Sequence, residues 1–109
     1  MTTQPIRIML VDDHPLVRDG LRARLEAVPH FLVVAEADGA DDALRQAGTE
    51  QVDLVLMDIN MRGTNGIEAT SRLCAAFPHI GVLILSMHDK LEYVSQAMQA
   101  GARGYVLKD

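Results

Sequence analysis

The chain has 109 residues, with 15 acidic against 10 basic side chains and a formal net charge of -5 at pH 7. That length fits one domain, since domains typically run ~100–150 residues, and a 49% hydrophobic fraction argues against disorder. A net negative chain does not grip nucleic acid by itself, because that needs clustered Lys and Arg to replace counterions. With no Trp, two Tyr and two Phe, it offers no base-stacking platform either. The single cysteine, Cys74, excludes an internal disulfide framework and a multi-Cys metal site, and it fits a reducing compartment. No apolar run approaches the ~18–20 residues that span a bilayer. Met1 to Arg7 carries no apolar stretch of a signal peptide. The expected location is the cytoplasm, away from membranes.

Five short apolar runs predict buried strands: Ile6 to Val11, Phe31 to Ala35, Leu54 to Met57, Val82 to Leu85 and Gly104 to Leu107. Most are continuously apolar, as strands covered on both faces are. The segments between them predict helices. Pro15 suits a first helical position, and Val17, Leu21, Leu25 and Val28 follow as an apolar stripe. The short second segment, Ala40 to Ala47, turns Ala43, Leu44 and Ala47 inward. Asn65 with Glu68 resembles a capping box that opens a third helix, whose inner face is Ile67, Thr70, Leu73 or Cys74, and Phe77, before Pro78 ends it. Asp89 with Glu92 opens a fourth helix, lined by Leu91, Val94, Ala97 and Met98 and closed by Gly101. This βαβαβαβαβ alternation predicts an α/β fold, a parallel sheet with helices on both faces.

In such a sheet the strand carboxyl ends share one edge, where ligands bind. The first run ends in Asp12-Asp13, the third in Asp58, the fourth in Ser86 and the fifth in Lys108. The second ends plainly in Ala35-Glu36-Ala37, which fits a strand order of 2-1-3-4-5 with this strand away from the site. Two like charges ~4 Å apart cost ~4 kcal/mol at an effective dielectric near ~20, so clustered carboxylates are paired, protonated or coordinated to a cation. Oxygen ligands without His or Cys favour Mg²⁺. Lys108 adds a point charge for an anion and Ser86 a hydrogen bond. These parts describe a phosphoryl group held beside a divalent metal.

The motifs VDDHPLVRDGL, LVLMDINM, LILSMHD and GARGYVLKD make the chain resemble the receiver domain of bacterial two-component response regulators, above all the NarL/LuxR subfamily. The resemblance runs from Ile6 to Asp109. It implies a flavodoxin-like (CheY-like), doubly wound, five-stranded parallel sheet. It implies that Asp58 is the phospho-acceptor, a carboxylate nucleophile that forms an acyl phosphate. Asp12, Asp13 and Asp58, with the Asn60 backbone carbonyl, are the implied Mg²⁺ ligands, Asp13 directly and Asp12 partly through water. Lys108 and Ser86 bind the phosphoryl group, and Ser86 and Tyr105 form the switch. The implied function is a phosphorylation-dependent switch served by a sensor histidine kinase. It catalyses its own phosphoryl transfer and hydrolysis without being a dedicated enzyme. Its output is transcription, through a C-terminal helix-turn-helix domain absent from these 109 residues. A homodimer is left open, since receiver dimers use several faces.

Arg62 departs from the family, which usually has Pro there; the departure predicts either a looser loop or a cation offsetting the acidic site, against the plain alternative of a tolerated surface Arg. None of the four His forms an HxxxH or HExxH pair, which disfavours a zinc hydrolase. His14 is expected to cap the first helix and His88 to border the site. Cys74 is expected as a small buried hydrophobe, and Arg18, Arg22 and Arg24 as a solvated face or a kinase-docking surface. The alternatives are a Mg²⁺-dependent phosphatase with an aspartyl nucleophile, a stand-alone receiver without DNA-binding output, and a flavin-binding module. The phosphatase is disfavoured because its DxD spacing is absent, and the flavin module because the acidic pocket repels a flavin phosphate. A receiver normally continues into a fifth helix after the Lys108-Asp109 equivalent. Without that helix, one side of the first and fifth strands is expected to lose cover.

Overall fold

The computed structural model describes residues 4–59, 61, 65–86 and 91–107. The Asn60, Arg62, His88, Asp89 and Lys108 readings therefore lie outside the described residues. The chain alternates as β1 (Ile6–Val11), α1 (Pro15–Glu26), β2 (Phe31–Ala37), α2 (Ala40–Thr49), β3 (Leu54–Asp58), α3 (Gly66–Ala76), β4 (Gly81–Ser86), α4 (Leu91–Ala100) and β5 (Gly104–Leu107). The strands form one sheet in the order β2-β1-β3-β4-β5, with every neighbouring pair parallel. The order reverses between β1 and β3, so a crevice opens beyond the carboxyl ends of these two strands.

Strand alternation splits the apolar residues between two faces. Met9, Val11, Val55, Met57, Val82 and Ile84 pack with Ala43 of α2, Ala69 and Leu73 of α3, and Ala97 of α4. Ile8, Leu10, Val33 and Leu56 form the other face, against Leu21 and Leu25 of α1. The small residues of α2 and α4 let those helices approach closely. Asn65 caps α3 as the sequence implies, its Oδ1 accepting from the Glu68 amide at 2.8 Å. Gly101 closes α4 with φ of 113°, a left-handed conformation that suits glycine.

Three expectations change. The stripe on α1 is only partly covered: Leu21 and Leu25 are half-buried, while Val17 is 37% exposed. Val28, 41% exposed, falls beyond the end of α1 at Glu26. Among the described residues α1 packs on β2 and β1, through Leu21 and Leu25. Second, of the two strands expected to be uncovered, β5 is exposed and the centre of β1 is not. Val106, paired with Leu85, is 47% exposed, whereas Ile8 and Leu10 under α1 are fully buried. Third, β2 runs on to Ala37, and its register against β1 shifts between Ile8 and Met9. The extra residue, Val34, inverts the alternation beyond it, so Glu36 pairs with Leu10 on the α1 face while Ala35 and Ala37 join the α2 face.

Candidate functional site

β1 and β3 are adjacent and parallel, with Val11 opposite Met57. The residues just beyond this pair, Asp12 and Asp58, therefore emerge side by side at the carboxyl edge. Asp12, Asp13, His14 and Asp58 each present a ligand atom, and these atoms all lie within 4.8 Å of one another. Asp12 and Asp58 are buried, at 2% and 6% exposure, and Asp13 is half-buried. The sequence-predicted triad of carboxylates is thus brought together. Hard oxygen donors clustered in a partly dry crevice fit a small divalent cation that keeps some of its water.

His14 sits at the N-cap of α1, but its side chain does not cap the helix. It turns back instead, with Nδ1 2.9 Å from both Asp12 Oδ1 and Asp13 Oδ1. The Asp12 carboxylate also accepts the His14 amide at 2.8 Å, closing a turn that holds the acid in place. The hydrogen bond to Asp12, then the charge of Asp13, holds the His14 pKa above its ordinary value. The capping expectation fails because two neighbouring carboxylates attract the ring more strongly than a helix end that already favours anions.

Ser86 ends β4 on the α3–α4 side and is 1% exposed. Tyr105 stands opposite Ile84 on β5, one strand further out, half-buried against the same core. The two residues share a face of the sheet, as a Ser–aromatic pair acting together would require. Asn60 and Lys108 complete the expected set by sequence position alone. Cys74 is half-buried, with its Sγ 3.6 Å from the Gly101 carbonyl. Burial pushes its thiol pKa up against the opposing charge of Arg103, which agrees with a packing role.

Gly66 and Glu36 were not given a role from sequence, and Arg18 was not placed at the site. Gly66, at the start of α3, lies against the main chain of Asp58, and its amide donates to the Ile59 carbonyl at 2.8 Å. Arg18 donates through Nη1 to the Asp12 carbonyl at 2.6 Å. Glu36 accepts from Arg18 at 3.2 Å and from Arg22 at 2.6 Å, so Arg18 is drawn into a half-buried network while Arg22 stays exposed on the expected charged face. The available signal for Glu36 was a lone acid within an apolar run.

A doubly wound α/β domain with three carboxylates converging at its switch point belongs to a narrow class, proteins that handle phosphoryl groups or metals at a sheet edge. Residues 8–109 match the family described as the response regulator receiver domain, and the chain belongs to that family. It is 41% identical over 104 residues to the transcriptional regulatory protein DegU of Brevibacillus brevis, covering 95% of this chain and 44% of the relative. It is 44% identical to the transcriptional regulatory protein MctR of Rhizobium johnstonii, covering 100% of this chain and 51% of the relative. The crystal structure of a LuxR-family two-component response regulator from an Aurantimonas species superposes with a TM-score of 0.93 at 42% identity, covering 97% of this chain and 76% of that one. The chain thus spans about half the length of these curated relatives. No helix among the described residues is long and apolar enough to cross a membrane.

Proposed function

We propose that this chain is the phospho-accepting half of a longer transcriptional regulator, with Asp58 as the acceptor. The observation that carries the reading is the convergence of Asp12, Asp13 and Asp58 oxygens within 4.8 Å at the switch point. An Asp58 carboxylate oxygen attacks the phosphorus of a phosphohistidine on a sensor kinase. The P–O bond forms as the P–N bond breaks, and the imidazole leaves. The product is an acyl phosphate on Asp58, later cleaved by water to restore the carboxylate.

Asp12, Asp13, Asp58 and the Asn60 carbonyl would hold Mg²⁺, which when bound neutralises charge on the phosphoryl oxygens. Lys108 pairs with one phosphoryl oxygen and Ser86 donates to another. Ser86 moves towards the phosphoryl group and Tyr105 follows, changing the surface near α4. Residues 1–109 form the receiver, and a C-terminal helix-turn-helix domain beyond them contacts DNA. This matches the regulatory names of relatives about twice as long. The acidic receiver need not touch DNA, and the protein works in the cytoplasm.

The test is incubation with acetyl phosphate and Mg²⁺ followed by intact mass measurement. One added phosphoryl group is expected, dependent on Mg²⁺ and lost in Asp58→Asn. Labelling that persists in that variant overturns Asp58 as the acceptor. Rapid multiple turnover of phosphate esters would favour the phosphatase alternative.

A further inference from the structure

We propose that Arg18 is a positioning residue for the acidic pocket: braced by Glu36, its guanidinium holds the Asp12 carbonyl and so aims the Asp12–Asp13 turn at a bound Mg²⁺. The inference rests on the receiver reading above and adds to it a support outside the carboxylate cluster.

Arg18 lies in the first turn of α1, which contains no acidic residue. A cation there opposes the positive end of the helix dipole. A residue that breaks a local rule without another local benefit points to a task elsewhere. Its side chain is only 19% exposed and that of Glu36 only 23%, so the pair is more than a passing surface contact.

The geometry shows the task. Nη1 donates to the Asp12 carbonyl at 2.6 Å while Nε donates to Glu36 at 3.2 Å. Glu36 is itself held, its carboxylate by Arg22 at 2.6 Å and its own carbonyl by the Gln46 side-chain amide at 2.6 Å. The Asp12 amide donates to the Ala37 carbonyl at 3.0 Å. Asp12 is therefore tied to β2 twice, once directly and once through Arg18 and Glu36. A peptide unit is planar, so fixing the Asp12 carbonyl fixes the plane from which Asp13 departs. The irregular register at Val34 is what brings Glu36 onto the α1 face to receive Arg18. A forked guanidinium spans two acceptors in a way an ammonium does not.

This role and a purely electrostatic one predict opposite signs. A cation near a cation site repels the metal, so a bystander Arg18 would weaken Mg²⁺ binding and its removal would tighten it. A positioning Arg18 strengthens binding, and its removal weakens it. Loss of residues that orient metal ligands typically costs ~10–100-fold in metal affinity. Titration calorimetry with Mg²⁺ on the protein and its variants separates the two, with thermal melts fixing a temperature at which each variant is folded. R18Q is expected to weaken Mg²⁺ at least about ten-fold, and E36Q to weaken it by a smaller factor. R18K, which keeps the charge but not the fork, falls between R18Q and the wild type. R24Q, the same charge change elsewhere on α1, leaves the affinity unchanged. In the metal-free protein the Asp13 amide resonance moves in R18Q and not in R24Q. Unchanged or tighter Mg²⁺ binding in R18Q overturns the proposal while leaving the receiver reading intact. Should R18Q not fold, wild-type affinity in R18K overturns it equally. A wild-type protein that binds no Mg²⁺ overturns the metal site and this proposal together.

Discussion

Gly66 lies so close beneath Asp58 that a Cβ placed on it would stand 2.1 Å from the Asp58 carbonyl oxygen and 2.8 Å from Ile59 Cα. Both neighbours are main chain and cannot swing aside. The same turn is held by the Gly66 amide on the Ile59 carbonyl at 2.8 Å and by the buried Thr70 hydroxyl on the Gly66 carbonyl at 2.7 Å. Gly66→Ala must therefore push the end of β3, and with it the acceptor carboxylate. Overpacking of this kind costs typically ~1–3 kcal/mol. A urea melt should show that loss, and acetyl-phosphate labelling of the folded variant should slow at least about ten-fold, the size of a misplaced reacting group. Wild-type stability and labelling in Gly66→Ala would contradict the contact.

Gly101 is constrained differently. Its φ of 113° disfavours any side chain, and an added Cβ would meet Cys74 Sγ at 2.9 Å and Cys74 Cβ at 3.1 Å. Gly101→Ala carries backbone strain of about 1–3 kcal/mol plus a clash between the α4 terminus and α3. The two parts separate in a double-mutant cycle. In a Cys74→Ala background the sulfur clash is gone while the backbone strain and the contact with the residue-74 Cβ remain, so Gly101→Ala should cost less there than in the wild type by roughly 0.5–1 kcal/mol. Equal costs in the two backgrounds would mean that the sulfur contact adds nothing.

The sheet was legible because each strand is a short apolar run flanked by turn residues, and because placing Asp12, Asp13 and Asp58 after runs one and three makes chemical sense only if those strands are neighbours. What escaped notice depends on side-chain reach and register. Periodicity placed Val17 and Val28 on a stripe with Leu21 and Leu25, but cannot show where a neighbouring element stops covering it. His14 holds a capping position, and only the closeness of two carboxylates turns it away. Glu36 faces α1 because of one extra residue at Val34, and no period-two pattern anticipates a bulge. Arg18 looked like solvated charge because its acceptors lie 6 and 18 residues away.

Cys74 supplies a test of burial. Desolvation raises its thiol pKa, and the Arg103 cation opposes the rise without cancelling it. Alkylation by iodoacetamide should accordingly show a pH midpoint above that of a small thiol, and Arg103→Gln should push it higher still. The folded state holds the thiol proton more tightly than the unfolded chain. The associated stability is present in full below the unfolded value of ~8.5 and is lost as pH rises through the folded one. A midpoint at or below the ordinary thiol range would contradict the burial.

The acidic pocket itself should lower the stability of the metal-free protein. Asp13 faces two carboxylates within 4.8 Å and one imidazole at 2.9 Å. A single repulsion at ~5 Å costs about 3 kcal/mol at an effective dielectric near 20, before screening. Removing the Asp13 charge relieves repulsion among the clustered carboxylates, so Asp13→Asn should melt higher than the wild type in metal-free buffer, by about 1 kcal/mol once ions screen the pocket. Added Mg²⁺ should reverse the order, because a ligand that binds only the folded state stabilises it as its concentration passes the dissociation constant. The wild type should gain about 2.7 kcal/mol at 100 times that constant, while Asp13→Asn gains far less. Paired thermal melts with EDTA and with Mg²⁺ read both halves. A variant that melts below the wild type in EDTA would mean that hydrogen bonds to Asp13 outweigh the repulsion. A variant that gains as much from Mg²⁺ as the wild type would remove Asp13 from the metal site.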